Sequence, residues 1–171
     1  MTDPLSEVIT LLRPAEVRAK TISGAGAWGV RYSAYGHPSF CVVIDGACLL
    51  QVEAAAPLRL DAGDFVFLPA TPAFVLSGFE TVEPQPIDPA VAADQMDALH
   101  HGTTEGEPDV RLLGGYFLFG SPDTALLVAF LPKVIHVRGA QRLSVLVRLV
   151  REETLQNLAG RELILARLVE V

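Results

Sequence analysis

The sequence predicts a mainly β domain, a barrel or sandwich of short strands with a short helix before it and further α-helices after it. Between about residues 17 and 135, short apolar runs alternate with turn signals at close spacing, and no long helical pattern interrupts them. Half of the 171 residues are hydrophobic and only 19% are charged, which excludes a disordered chain. This length is typical of one domain with a sizeable core.

The strand signals are clearest in the stretch SFCVVIDGACLLQV, where Asp45 and Gly46 separate two β-rich runs. Asp-Gly is a preferred pair for a tight type I′ turn, so this stretch predicts a β-hairpin. Further strands are expected at PLRL, FVFLP, 73–78 and 110–119, and the apolar run at 125–130 is either strand or helix.

Two segments depart from the strand pattern. Residues 3–12 carry apolar side chains at i, i+3, i+4 and i+7, which predicts a short amphipathic helix that Pro14 ends. Residues 80–109 contain four prolines and many acidic residues. They predict a long, poorly ordered loop with a short helix at 89–99, because long loops inside compact domains are either functional or mobile.

Helical periodicity returns at 140–156 and again after Gly160, and neither Gly nor Pro ends the second helix before Val171. This pattern predicts a domain excised from a longer protein. The two apolar stripes are expected to form a two-fold dimer interface, with packing inside one chain as the alternative. The candidate interface residues are Leu143, Leu146, Val147, Val150, Leu163, Ile164 and Leu168.

Charge and cysteine content limit the partners and the compartment. The net charge of −7 and the pI near 5.0 argue against direct contact with nucleic acid, which needs clustered Lys and Arg. The N-terminus lacks the basic start of a signal peptide, and no segment approaches the roughly 18 apolar residues of a membrane span. The sequence therefore predicts a soluble, cytoplasmic protein. Cys41 and Cys48 flank the predicted turn, and reduced thiols are favoured over a bridge.

A strand, a glycine turn and a strand lead into Leu60-x-x-Gly63-Asp64-x-x-x-Leu68-Pro69. This run resembles the two conserved stretches of the cupin superfamily, whose fold is a double-stranded β-helix (jelly-roll) barrel. Together with the opening helix, WGVRY, DVRLLGGYFLF and LPKVIHVRG, it is similar to the cupin sensor domain of AraC/XylS-family transcription regulators. The resemblance implies an effector-binding cupin barrel at 1–138 and a helical dimerisation element at 139–171. Nucleic acid would then be contacted only by helix-turn-helix units absent from this sequence.

The metal-ligand positions of catalytic cupins are not kept in this chain. Ser39 stands where a ligand Glu is expected, and Phe74 stands where a His is expected. Many relatives of this kind carry His, His and Cys at the places of Cys41, Phe74 and Gly114, a set that can bind zinc. Two of those three places are apolar in this chain, and this departure from the pattern predicts no metal and no cofactor.

Strand alternation places Ser39, Cys41 and Val43 on one face of their strand, and it likewise places Gly114 and Tyr116 on one face of theirs. If these faces point inward, their small, soft and aromatic side chains fit a largely apolar molecule with one or two polar groups. Simpler interpretations stay open: a rim hydrogen bond for His37, core packing for Cys41, Trp28 and Tyr116, solvation for His100-His101, and anchoring of the helical segment for His136. The candidate ligand-binding residues are Trp28, His37, Ser39, Cys41, Phe74 and Tyr116.

Three functions follow from these observations. The first is a non-enzymatic, homodimeric sensor of a small molecule. The second is a metal-dependent cupin enzyme, such as an isomerase or dioxygenase, that uses His37 with His100, His101 or Cys41. The third is a pure dimerisation module whose barrel is filled by its own side chains. The first is favoured.

Overall fold

The computed structural model describes residues 14–88, 98–119 and 124–139, which form ten β-strands and one short α-helix. The predicted mainly β fold is confirmed, and the apolar run at 125–130 is helical up to Ala129. The predicted helices at 3–12 and 140–171, with all the candidate interface residues, lie outside the described residues. The elements are β1 Pro14–Ala25, β2 Gly29–Tyr32, β3 Ser39–Val52, β4 Leu58–Asp61, β5 Phe65–Leu68, β6 Phe74–Ser77, β7 Gln85–Ile87, β8 Leu99–Gly102, β9 Val110–Phe119, α1 Thr124–Ala129 and β10 Ile135–Val137.

The strands form two layers that share β3. In the first layer the order is β8, β1, β9, β3, β5 and β10, and in the second it is β7, β2, β6, β3 and β4. The first half of β3 pairs with β5 and β9, and its second half pairs with β4 and β6. The sheet therefore curls through β3, and the apolar core lies between the layers.

The predicted hairpin at Asp45-Gly46 is wrong, because β3 runs unbroken from Ser39 to Val52. A type I′ turn needs positive φ at both central residues, and only Gly46 has it, at 78°. The register shifts between Val43 and Asp45, so the pair forms a bulge that bends the strand from one layer into the other. A Cβ on Gly46 would lie 1.9 Å from the carbonyl oxygen of Asp109, so glycine also permits the close approach of β9.

The two cysteines therefore lie on one strand and not on two paired strands. Cys48 is fully buried in the core, and Cys41 packs against that core from the other half of β3. Both are free thiols, as the sequence predicted.

The segment at 80–109 contains more regular structure than predicted. Its described part supplies β7, which pairs with β2, and β8, which pairs with β1, both in parallel. Leu99, the last residue of the helix predicted at 89–99, is instead the first residue of strand β8. Residues 89–97 lie outside the described part of the chain.

Alternation along β3 separates the core from a second apolar face. Cys41 and Val43 belong to the core between the layers, whereas Phe40 and Val42 point the other way and are also buried. All four residues of β5 are buried, which explains its continuous apolar sequence. No helix in the described ranges is long and apolar enough to cross a membrane.

Candidate functional site

Four residues of β3 and β9 form a band on the inner wall of the first layer. Ser39 is the cross-strand partner of Tyr116, and Cys41 is the partner of Gly114. Directly paired residues present their side chains on the same face of a sheet. Ser39 also pairs with Leu68, a core residue, so this face is the inner one. Ser39, Cys41, Gly114 and Tyr116 are called the inner band below.

Aromatic rings face the inner band from the second layer. Tyr32 of β2 stacks on Phe74 of β6, with ring centroids 4.7 Å apart and planes 15° apart. Tyr32 is only 7% exposed, and its hydroxyl has no hydrogen-bond partner in the described part of the structure. Burial raises the pKa of Tyr32 to about 12, and the nearby Cys41 adds to the rise. The phenol therefore stays protonated and is a hydrogen-bond donor at neutral pH.

The two thiols near this site, Cys41 and Cys48, are in environments that keep them unreactive. Burial, and then Cys48, raises the pKa of Cys41 well above its ordinary value. Burial and then Asp61 raise the pKa of Cys48 to about 12. Because the thiolate is the reactive form of cysteine, neither residue has the environment of a nucleophile.

Thr71 fixes the loop that borders the inner band. Its hydroxyl donates a hydrogen bond to the carbonyl oxygen of His37 and lies 2.7 Å from Ser39 Oγ. The backbone NH of Tyr35 donates to the Thr71 carbonyl oxygen at 3.0 Å. The ring of Tyr35 meets the edge of Tyr116, with centroids 5.3 Å apart. His37 is exposed at this rim, where its backbone makes the hydrogen bond.

Trp28 is buried at the other end of the interior. Its ring stacks on His101 with centroids 5.8 Å apart, and a Cβ on Gly24 would lie 2.3 Å from the indole. Gly24 pairs with Val110, which stands six residues before Tyr116 on β9, a separation of about 20 Å. Trp28 is therefore remote from the rim at Tyr116.

His100 is exposed, as the sequence-based expectation had it, whereas His101 is partly buried and not simply solvated. His100 Nδ1 lies 2.8 Å from Ser23 Oγ, and His100 Nε2 lies 2.6 Å from the carbonyl oxygen of Thr103. His101 is half-buried, and its Nε2 has no hydrogen-bond partner among the described residues. Burial and then the neighbouring His100 lower the pKa of His101. The two histidines differ because they are successive residues of β8, which pairs with β1, and successive side chains of a strand point to opposite faces of the sheet.

His136 and Asp64 join β10 to the turn before β5. His136 Nε2 lies 3.1 Å from Asp64 Oδ2, and the backbone NH of Gly139 donates to Asp64 Oδ1 at 3.3 Å. Burial opposes ionisation of Asp64, but hydrogen bonds from the Asp61 NH, His136 and Gly139 outweigh it and lower the pKa of Asp64. Gly63 in this turn has φ of 91°, and a Cβ there would make only an ordinary contact with Gly139 Cα at 3.9 Å, so its backbone conformation, and not a clash, favours glycine.

The three positions for which the resemblance implies a zinc-binding set lie against one core, but their residues do not fit a metal. Cys41 and Gly114 are cross-strand partners, and Phe74 packs against the same core. Gly114 has no side chain and Phe74 offers only a ring, so Cys41 is the one residue of the three with a side-chain atom that could bind a metal. The ligand set of the enzyme hypothesis is also separated, since His37 lies at the rim and His101 lies against Trp28.

The structure thus gathers part of the predicted site. Ser39, Cys41 and Tyr116 share one wall and Phe74 lies opposite, whereas Trp28 and His37 lie at the two ends. The sequence analysis missed Tyr32. Alternation in WGVRY places it on the same face as the buried Trp28, which is the signal that could have found it.

Comparison with known proteins assigns this architecture to a family. A cupin family model matches residues 3–171. Two curated proteins described as AraC-like transcription regulators, from Streptomyces lividans and Streptomyces antibioticus, are 32% and 35% identical over 136 and 137 residues. Each match covers 79% of this chain and 44% of the relative, so the chain spans less than half the length of these relatives.

A solved structure shows a similar fold. The apo form of a ToxT variant from Vibrio cholerae matches 90% of this chain and 52% of its own, with a TM-score of 0.50 at 8% identity. At that identity the likeness concerns the fold alone. The family-model match and the sequence relatives carry the assignment: the chain belongs to the cupin family, as a cupin-type domain of AraC-like transcription regulators.

Proposed function

We propose that this cupin domain senses a small-molecule effector between its two layers and forms a homodimer, without transforming the effector. One observation carries the proposal: the inner band and the ring of Phe74 face each other across an apolar interior. Apolar walls with a few convergent polar groups are typical of small-molecule sites. The description of the sequence relatives as transcription regulators supports a regulatory role.

A short path connects the inner band to the chain that follows β10. Val66 of β5 is the cross-strand partner of Cys41 on one side and of His136 on the other. His136 is in turn bonded to Asp64. An effector that contacts Cys41 therefore acts on β3, the strand next to β5, and β5 in turn pairs with β10. Binding would favour one of two pre-existing placements of β10 and of residues 140–171.

DNA would be contacted by a further domain and not by this one. The acidic composition argues against phosphate contacts here, and the relatives extend well beyond the matched region. A regulator of this kind would act in the cytoplasm. Catalysis is disfavoured because the converging positions Cys41, Phe74 and Gly114 do not fit a metal.

Thermal-shift screening of the whole chain against metabolite and aromatic libraries tests the sensor proposal. At least one compound is expected to raise the Tm by several degrees, because a ligand that binds only the folded state stabilises it. Cys41→Phe and Ser39→Phe, which fill the inner band, should remove the shift, whereas Ser33→Phe on the exposed rim loop should keep it. Circular dichroism checks that the variants fold. Libraries that give no shift at all would contradict the proposal.

Sedimentation velocity tests the dimer. Leu146→Glu with Val147→Glu should convert a dimer to a monomer, because two carboxylates per protomer would be buried in an apolar contact. Leu126→Glu, at a side chain that is 66% exposed in α1, is the matched control and should leave the dimer intact. A molar mass that the double substitution does not change would remove these residues from the interface.

A further inference from the structure

The Tyr32 hydroxyl is the most informative polar atom in the interior. It is buried on the inner side of β2, beside the stacked ring of Phe74, and has no hydrogen-bond partner among the described residues. Buried polar groups in native proteins are nearly always hydrogen-bonded, and an exception calls for an explanation. A bound molecule that supplies the missing acceptor is one such explanation.

The surroundings of this hydroxyl restrict the kind of acceptor. The apolar side chains around Tyr32 and the neighbouring Cys41 make ionisation unfavourable, and this is why the pKa of Tyr32 rises to about 12. The pKa of Cys41 rises for the same reason. A place that resists a phenolate or a thiolate also resists a carboxylate brought in by a ligand, since desolvation penalises every anion.

We propose that the effector is an uncharged, largely apolar molecule whose carbonyl oxygen accepts a hydrogen bond from the Tyr32 hydroxyl. This inference rests on the proposed sensor function and names the class of ligand for the same site. The inner band supplies apolar contact, and the face of Phe74 next to Tyr32 fits an aromatic or conjugated ketone, ester or lactone.

Lys20 is a cationic residue on the inner wall and must be weighed. Lys20 of β1 pairs with Gly114, which pairs with Cys41, so Lys20 lies two strands from Cys41, about 10 Å away. If Lys20 set the preference, carboxylic acids would bind best. The distance of Lys20, and the protonated state of the Tyr32 hydroxyl and the Cys41 thiol, favour a neutral carbonyl over a carboxylate. The experiment therefore includes carboxylic acids as a separate series.

Three matched series of compounds test the inference on the whole chain: phenyl alkyl ketones, the alkylbenzenes that lack the oxygen, and phenylalkanoic acids of the same length. We expect the best ketone to bind about five- to tenfold more tightly than its hydrocarbon, and to raise the Tm further, since one net hydrogen bond separates them. Tyr32→Phe should remove this advantage and leave hydrocarbon binding unchanged. Without ligand, the same variant should melt no lower than the wild type, because it deletes an unpartnered buried hydroxyl.

Tyr35→Phe is the matched control, since it removes the same atom from the rim loop and should keep the ketone preference. Equal binding of ketone and hydrocarbon, tighter binding of the acid, or a ketone preference that survives Tyr32→Phe would each overturn the inference. The sensor proposal would survive all three results. If no member of the three series binds, the inference is wrong, and the sensor proposal is then decided by the broader screen.

Discussion

Asp64 holds two segments together through one buried carboxylate. It accepts a hydrogen bond from the backbone NH of Asp61 at 2.9 Å and further bonds from His136 and Gly139. These bonds close the turn before β5 and secure β10 beside it. The side chain is 4% exposed, so its loss leaves donors buried without an acceptor.

Replacing Asp64 tests this role. Asp64→Asn should lower the free energy of unfolding by about 2 kcal/mol at pH 7, since hydrogen bonds to a buried charge are lost. Folding lowers the pKa of Asp64, so its contribution is complete above the ordinary value of about 3.9 and disappears as the pH falls through the folded value. The difference between wild type and variant should therefore shrink at pH 3.

Urea denaturation at the two pH values measures both effects. Asp45→Asn is the control, because the Asp45 carboxylate is half exposed in its ion pair with Arg111 and should change stability by less than about 0.5 kcal/mol. A deficit of Asp64→Asn that is the same at pH 3 and pH 7 would show that its charge is not what stabilises the turn.

Much of the inner band could be predicted at the residue scale. Period-two alternation alone places Ser39 with Cys41, and Gly114 with Tyr116. The two pairs meet only in the observed register between β3 and β9. Contacts between distant parts of the chain set that register. Tyr32 was missed because its significance lies in an unsatisfied hydroxyl, and hydrogen-bond satisfaction is a property of the folded interior.

At the element scale, β3 shows where local sequence preference fails. Asp45-Gly46 favours a hairpin turn in isolation, yet the same Gly46 conformation serves a bulge when strands are available on both sides. Pairing with β9 supplies backbone partners that a tight turn would have left out. Short strands such as β4 and β5 were predictable because turn residues bound them directly, whereas β7 and β8 lacked such a signal among the prolines and acidic residues.

Gly46→Ala tests the bulge. The substitution should lower the free energy of unfolding by about 3 kcal/mol, because the added Cβ meets the carbonyl oxygen of Asp109 and the positive φ is strained. Gly106→Ala is a matched control with the same φ of 78° and open space around the Cβ, and should cost about 1 kcal/mol. Equal losses in the two variants would mean that the approach of β9 to β3 is not tight.

At the scale of the whole molecule, β3 links the site to the rest of the fold. Its first half carries Ser39 and Cys41, and its second half carries Cys48 and the pairing with β6, on which Phe74 lies. A ligand between the layers therefore contacts both sheets through one continuous strand. The same first half pairs with β5, which holds β10 and through it the start of the segment proposed to dimerise.

The overall class could be predicted from sequence, because strand alternation and turn spacing are local signals that a mainly β fold repeats many times. The way in which the two layers meet could not be predicted, since it depends on the bend in β3. Local sequence preference indicated a hairpin turn at that place.

The central claim is that this domain recognises a small molecule between its two layers. The most direct measurement is a two-dimensional ¹H–¹⁵N NMR titration of the chain with the compound that most raises its Tm. We predict that the amide shifts change most at Tyr32, Ser39, Cys41 and Gly114 and then along β5 and β10. Changes confined to the Trp28–His101 end or to the outer surface would contradict the account.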